Sequence, residues 1–228
     1  SVIREAAEKA LKDGRTRYAH TLGILPLREA IAEHYRTRYD VDVSPDRILV
    51  TAGTSPAMLL LFGALLERGD EVILSDPHYA CYPKFVKYAE AEPVFVDVHE
   101  TDGFQLRPEA VAAALTPRTR AILINSPANP TGTVLAPERM AALARLGPWI
   151  VSDEIYHGLT YASKETPLGG GCDAVTALSL TDDVFVINSF SKYFGMTGWR
   201  LGWLVLPPAL VAPIEKLAER FYNRTDFL

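Results

Sequence analysis

Lys192 stands in the string Ser189-Phe190-Ser191-Lys192-Tyr193-Phe194-Gly195-Met196-Thr197-Gly198-Trp199-Arg200, directly after the apolar run Val184 to Ile187. Its neighbours are small or apolar. Such company is expected to desolvate the amine and favour its neutral form. A neutral amine can attack an aldehyde and form a Schiff base. Arg200, eight residues on, offers a rigid fork that fits a phosphate. The plain alternative is a surface lysine and a salt-bridged arginine, and the whole string argues against it.

Other polar residues follow apolar runs in the same way. Gly53-Thr54-Ser55 follows Ile48-Leu49-Val50 and opens a strongly apolar segment. Free N–H groups at a helix start make an anion site, and glycine permits close backbone approach. Asn129 lies in Asn125-Ser126-Pro127-Ala128-Asn129-Pro130-Thr131-Gly132, which is also a turn sequence. Asp153 follows Trp149-Ile150-Val151; the plain alternative for it is a helix or turn cap, and the context argues against that. Asn125 is expected to shape the loop and not to bind a ligand. His78 and His157 have no partner at metal-ligand spacing, so no metal site is expected.

These residues need a scaffold that brings strand ends together. Helical periodicity marks 1–12 and 26–39. Further helices are expected at 55–67, 80–90, 108–115, 137–146 and 208–222. Short apolar strands are expected at 48–50, 72–74, 94–96, 121–124, 149–151, 184–187 and 201–206. Alternating strands and helices imply a three-layer α/β fold, a mostly parallel seven-stranded sheet with helices on both faces. Continuously apolar strands fit burial on both sides. In such sheets ligands sit at the carboxyl ends of strands, where Gly53, Asn129, Asp153 and Ser189 fall. Residues 162–173, with Gly169-Gly170-Gly171, read as a mobile loop.

The 228 residues are 48% hydrophobic and 22% charged, with net charge -5. No basic stripe points to nucleic acid. No apolar run approaches the roughly 20 residues that span a bilayer. The two cysteines, Cys81 and Cys172, make no disulfide framework, so a reducing, cytoplasmic compartment is expected. No signal peptide is visible. The chain opens on Ser1 and not methionine, which leaves a preceding segment open.

The string Ser189 to Trp203 resembles the lysine signature of the class I/II aminotransferases, pyridoxal-phosphate enzymes of fold type I. Residues 125–132 resemble that family's asparagine signature, and 152–156 (SDEIY) its aspartate-tyrosine signature. Residues 18–32 and 65–83 also match its pattern. The resemblance covers the whole chain, with five motifs in order. It implies that residues 1–228 are the large domain that binds pyridoxal 5'-phosphate. It implies Lys192 as the Schiff-base lysine and general base, and Asp153 as partner of the pyridinium nitrogen. Asn129 and Tyr156 would donate to the phenolic oxygen, and Tyr79 would stack on the ring. Gly53, Thr54, Ser55, Ser189 and Arg200 would hold the phosphate. Tyr18 would reach the phosphate of a neighbouring subunit, making a homodimer with shared sites.

The expected reaction moves an amino group between an amino acid and a 2-oxo acid. Two rivals stand beside it: a carbon–sulfur beta-lyase of the same fold, and an aminotransferase-like sensor domain of a transcription regulator. The family also has an N-terminal arm and a smaller C-terminal domain whose arginine grips the substrate carboxylate. Nothing here matches them. The chain is therefore expected to be a portion of a longer enzyme and to transaminate poorly alone.

Overall fold

The structure, a computed structural model, describes residues 1–160 and 174–221. The 162–173 segment expected to be a loop lies outside the described residues. Seven strands form one sheet: β1 (Ile48–Thr51), β2 (Glu71–Asp76), β3 (Glu92–Asp97), β4 (Thr119–Asn125), β5 (Trp149–Asp153), β6 (Val184–Ser189) and β7 (Gly202–Val205). Their order is β1-β7-β6-β5-β4-β2-β3. The pairs from β6 to β3 are all parallel. Only β7 is reversed, antiparallel to both β1 and β6.

The reason lies in the connections. The helices α3 (Thr54–Leu65), α4 (Tyr82–Tyr88), α5 (Pro108–Ala114) and α6 (Pro137–Ala144) each separate two consecutive strands. A helical crossover returns the chain parallel. Residues 190–201 carry only a one-turn 3-10 helix at Thr197–Trp199, so β7 comes back antiparallel. The Lys192 string is that link.

Side chains alternate between the two faces of each strand. Ile122, Ile124, Ile150, Val186 and Trp203 join one core with Ile31 and Tyr35 of α2 (Leu25–Tyr39), Val111 of α5, and Met140 and Leu143 of α6. Leu123, Val151, Phe185, Ile187 and Leu204 join the other with Met58 and Phe62 of α3, Val86 of α4, and Ile214 and Ala218 of α7 (Val211–Phe221). Each fully buried Leu, Ile or Phe contributes about 1.5–3 kcal/mol. This double burial explains the unbroken apolar strands and confirms the three-layer fold. β3 is the exception: it is an edge strand with one buried residue, and it tolerates Pro93. The helix α1 (Val2–Lys12) buries no residue. None of the described helices is long and apolar enough to cross a membrane.

Most boundaries fall where periodicity predicts them. The segment expected to be helical from residue 80 instead turns until Cys81, and α4 begins at Tyr82. With this start, Tyr82 reaches Asp153 at the end of β5.

Candidate active site

A cleft of about 290 Å³ opens at the carboxyl ends of β4, β5 and β6 and the start of α3. Asn129, Asp153, Tyr156 and Lys192 line it, as do Tyr79, Thr54, Ser55 and Arg200. A larger hollow of about 550 Å³ lies at the opposite strand ends, beside Trp149 and Arg145. It gathers none of the residues singled out by sequence.

Asp153 ends β5 and is buried. Its Oδ2 accepts a 2.8 Å bond from the Tyr82 hydroxyl, and its Oδ1 accepts one of 3.1 Å from the Ile155 N–H. Burial pushes the carboxyl up to about 6; the two hydrogen bonds oppose that rise. Tyr82 is itself buried. Desolvation first, and then the Asp153 charge, raise its hydroxyl well above the ordinary range, so it stays a donor. Sequence reasoning missed Tyr82. Its one signal is a position three residues after Tyr79, readable only once α4 is known to start there. Tyr79 packs edge-on against the Tyr82 ring, centroids 5.3 Å apart.

The loop after β4 delivers the next pair. Asn129 Nδ2 lies 3.1 Å from the Tyr156 hydroxyl, donating to it. Asn125 does shape this loop: its Oδ1 accepts from the Asn129 N–H at 2.7 Å, and its Nδ2 donates to the Asp153 carbonyl at 3.0 Å. The loops after β4 and β5 are thereby locked together. Lys192 Nζ sits 5.8 Å from the Tyr156 ring centroid. Lys192 is exposed, however. The desolvation expected from its neighbours is absent among the described residues, because Tyr193 and Phe194 are exposed beside it and do not cover it.

At the other end of the cleft, Gly53 is the N-cap of α3, with φ 103°. A Cβ there would lie 2.6 Å from Arg200 Nη2, so the guanidinium stacks directly over the backbone at the helix start. Arg200 has φ 54° and its Nη1 donates to the Thr197 carbonyl at 3.0 Å. Among the described residues it forms no ion pair, which removes the salt-bridged alternative. Gly202, missed in the sequence, makes this close approach possible. A Cβ on it would meet the Asn188 carbonyl at 2.8 Å and the Gly53 backbone at 3.1 Å.

Ser189 and Tyr18 lie outside the cleft. Ser189 is buried beneath it; its hydroxyl donates to the Leu201 carbonyl at 2.8 Å and bonds Ser191 Oγ at 2.9 Å. Ser191, which sequence reasoning passed over, takes the lining position that Ser189 holds up from below. Tyr18 is 76% exposed and is not among the residues that line the cleft. His78 stacks on Phe95 and His157 bonds the Tyr39 hydroxyl at 2.9 Å, so neither faces the cleft.

The donor set fits one kind of ligand. A helix start with a guanidinium that forms no ion pair among the described residues suits a phosphate. A buried carboxylate suits a ring nitrogen that carries a proton, an amide and a phenol suit an oxyanion, and a primary amine suits a carbonyl carbon.

The family model for aminotransferase class I and II matches residues 1–227. A probable aspartate/prephenate aminotransferase of Aquifex aeolicus is 39% identical over 99% of this chain and 57% of its own length. A valine–pyruvate aminotransferase of Mycobacterium tuberculosis is 38% identical over 96% of this chain and 55% of its own. The structure of Thermus thermophilus aspartate aminotransferase with maleate matches with a TM-score of 0.90 at 36% identity, over 99% of this chain and 58% of that one. The chain thus spans somewhat over half the length of the relatives it matches. With the family model, the sequence identity and the fold in agreement, the chain belongs to the class I and II aminotransferases.

Proposed function

We propose that residues 1–228 form the pyridoxal 5'-phosphate-binding large domain of an aminotransferase. The enzyme would move an amino group between an L-amino acid and a 2-oxo acid. The observation that carries this reading is the convergence on one cleft of Lys192, buried Asp153 and Arg200, which forms no ion pair among the described residues. Bound there, the cofactor supplies an electron sink for the bond broken at the substrate's α carbon.

The chain's own residues do the rest. Arg200 and the N–H groups after Gly53 anchor the phosphate, with Thr54 and Ser55 hydroxyls alongside and Ser189 bracing Ser191 beneath. Tyr79 would cover the ring, and Asp153 would pair with the ring nitrogen. A cation there draws its proton off, offsetting the burial that pushes it up to about 6. Asn129 and Tyr156 donate to the phenolic oxygen. The Lys192 amine would hold the cofactor's aldehyde carbon and, when free, would serve as the base that moves the substrate's α proton.

Tyr18, exposed and not among the residues that line its own cleft, suits a role in a second subunit's phosphate site, which supports a homodimer as the working form; a cytoplasmic location is part of the same reading. The matched relatives carry names for aspartate/prephenate and for valine and pyruvate at nearly equal identity, so aspartate is the first substrate to test and not the only one.

Purified protein mixed with pyridoxal phosphate should show a visible absorption band distinct from the free aldehyde. Lys192→Ala should lose it. A band that survives in this variant would overturn the assignment of Lys192. Release of ammonia and pyruvate from a thioether substrate, without amino transfer, would overturn the aminotransferase reading in favour of a lyase.

A further inference from the structure

Behind the cleft, on the α2 face of the sheet, two buried side-chain atoms find no hydrogen-bond partner among the described residues: Glu154 Oε2 and His157 Nε2. Glu154 is fully buried. Its Oε1 takes three bonds, from Ser152 Oγ at 3.1 Å, Thr176 Oγ1 at 3.0 Å and the Ala177 N–H at 2.8 Å. Its Oε2 has only His157 Nδ1, 3.5 Å away, and that nitrogen already bonds the Tyr39 hydroxyl at 2.9 Å. One oxygen is saturated and the other is left nearly bare.

Glu154 adjoins Asp153, yet its bonds run to the segment at 176–177 and not to the cleft. Its backbone is tied as well. The Glu154 N–H donates to the Ile187 carbonyl at 2.8 Å, and its own carbonyl accepts from the His157 N–H at 2.9 Å. The residues between, Ile155 and Tyr156, are the ones that bond Asp153 and Asn129. A charge change at Glu154 thus acts on a turn whose other side is the candidate site.

We propose that Glu154 is a positioning residue whose state of protonation sets the field on Asp153 and on the turn that aims Tyr156 at the cofactor. The proposal rests on the cofactor reading above.

The surroundings favour titration over permanent charge. Burial pushes Glu154 up to about 7 and Asp153 up to about 6. Burial holds His157 down, to about 4, so it is neutral whenever Glu154 titrates. The other titratable groups facing the pair come from α2. Tyr35 feels the Glu154 charge, Arg38 acts on His157, His157 in turn acts on His34, and Tyr39 bonds His157. From the strand side, the Glu154 charge raises Asp153. An ionised Glu154 therefore resists a second negative charge at Asp153, and a protonated one permits it.

The test is a pH titration of the visible band of the protein carrying pyridoxal phosphate, from about pH 5 to about pH 9. The wild-type profile should contain a component near pH 7. Glu154→Gln should lose that component while still binding one cofactor per chain, because the amide oxygen keeps the three bonds of Oε1. Thr176→Val, nearly isosteric, removes one bond to the carboxylate and should raise the component by about one pH unit. Infrared difference spectra without cofactor should show a protonated carboxyl titrating near pH 7 in the wild type and not in Glu154→Gln. Identical visible profiles in wild type and Glu154→Gln overturn this proposal and leave the cofactor reading intact. A wild-type protein that forms no band overturns the cofactor reading, and this proposal with it.

Discussion

Arg200 and Gly53 make one device from residues far apart in the chain. The arginine's position is set by its own left-handed backbone and by its bond to Thr197. The glycine is required twice over: φ is 103°, and a Cβ would press on the guanidinium at 2.6 Å. Gly53→Ala should therefore displace Arg200 from the helix start. Calorimetric titration should find pyridoxal phosphate bound at least about 10-fold more weakly, a loss of about 1.4 kcal/mol. Pyridoxal, which lacks the phosphate, should lose little. An equal loss for both ligands would place the defect in the fold and not in phosphate binding. Asp153 is the second residue whose role depends on neighbours. Without Tyr82 and Ile155 its burial would push the carboxyl higher still, away from the charged form that a ring nitrogen needs.

The reversed strand β7 does more than close the sheet. It lies between β1 and β6, so it carries Gly202 beneath Gly53 and brings the Lys192 link back over the strand ends. Its position is secured from α2, where Trp203 Nε1 donates to the Tyr35 hydroxyl at 3.0 Å, both side chains being buried. Tyr35→Phe would leave the indole N–H without a partner in the core. It should cost about 1–3 kcal/mol in urea unfolding with an unchanged denaturant slope. A loss below about 0.5 kcal/mol would show that the bond does not hold β7.

Across the whole molecule, three buried titrating groups pull stability in opposite directions. Glu154 rises from 4.5 to about 7 on folding, and Asp153 from 3.8 to about 6. A raised carboxyl contributes stability below its ordinary value and loses it as pH climbs through the folded value. His157 falls from 6.5 to about 4, so its contribution is present above 6.5 and is lost as pH drops towards 4. Glu154→Gln removes one of the two carboxyl penalties. In the cofactor-free protein it should be more stable than the wild type at about pH 8, by roughly 3 kcal/mol. The difference should fade by about pH 4, where Glu154 is protonated in both states. Urea unfolding at several pH values measures this. A variant no more stable than wild type at the alkaline end would show that the folded carboxyl is not raised.

The pattern of short apolar strands and amphipathic helices was enough to determine a three-layer sheet, because double burial leaves no polar face to alternate. The five motifs were enough to determine the family, and the resemblance pointed to Lys192, Asp153, Asn129, Tyr156 and Arg200 as candidates. Only tertiary structure decided how they are held. Tyr82 and Asp153 are 71 residues apart in sequence, and no local pattern joins them. Gly202 matters only because β7 passes beneath Gly53. Ser191 and Ser189 exchange places between lining and support because the chain turns sharply as it leaves β6. Burial of Glu154 and His157 likewise depends on α2 and the 174–177 segment closing over them. Desolvation and hydrogen bonding act through space between distant segments, so the side chains that tune the site became legible only when the chain had folded.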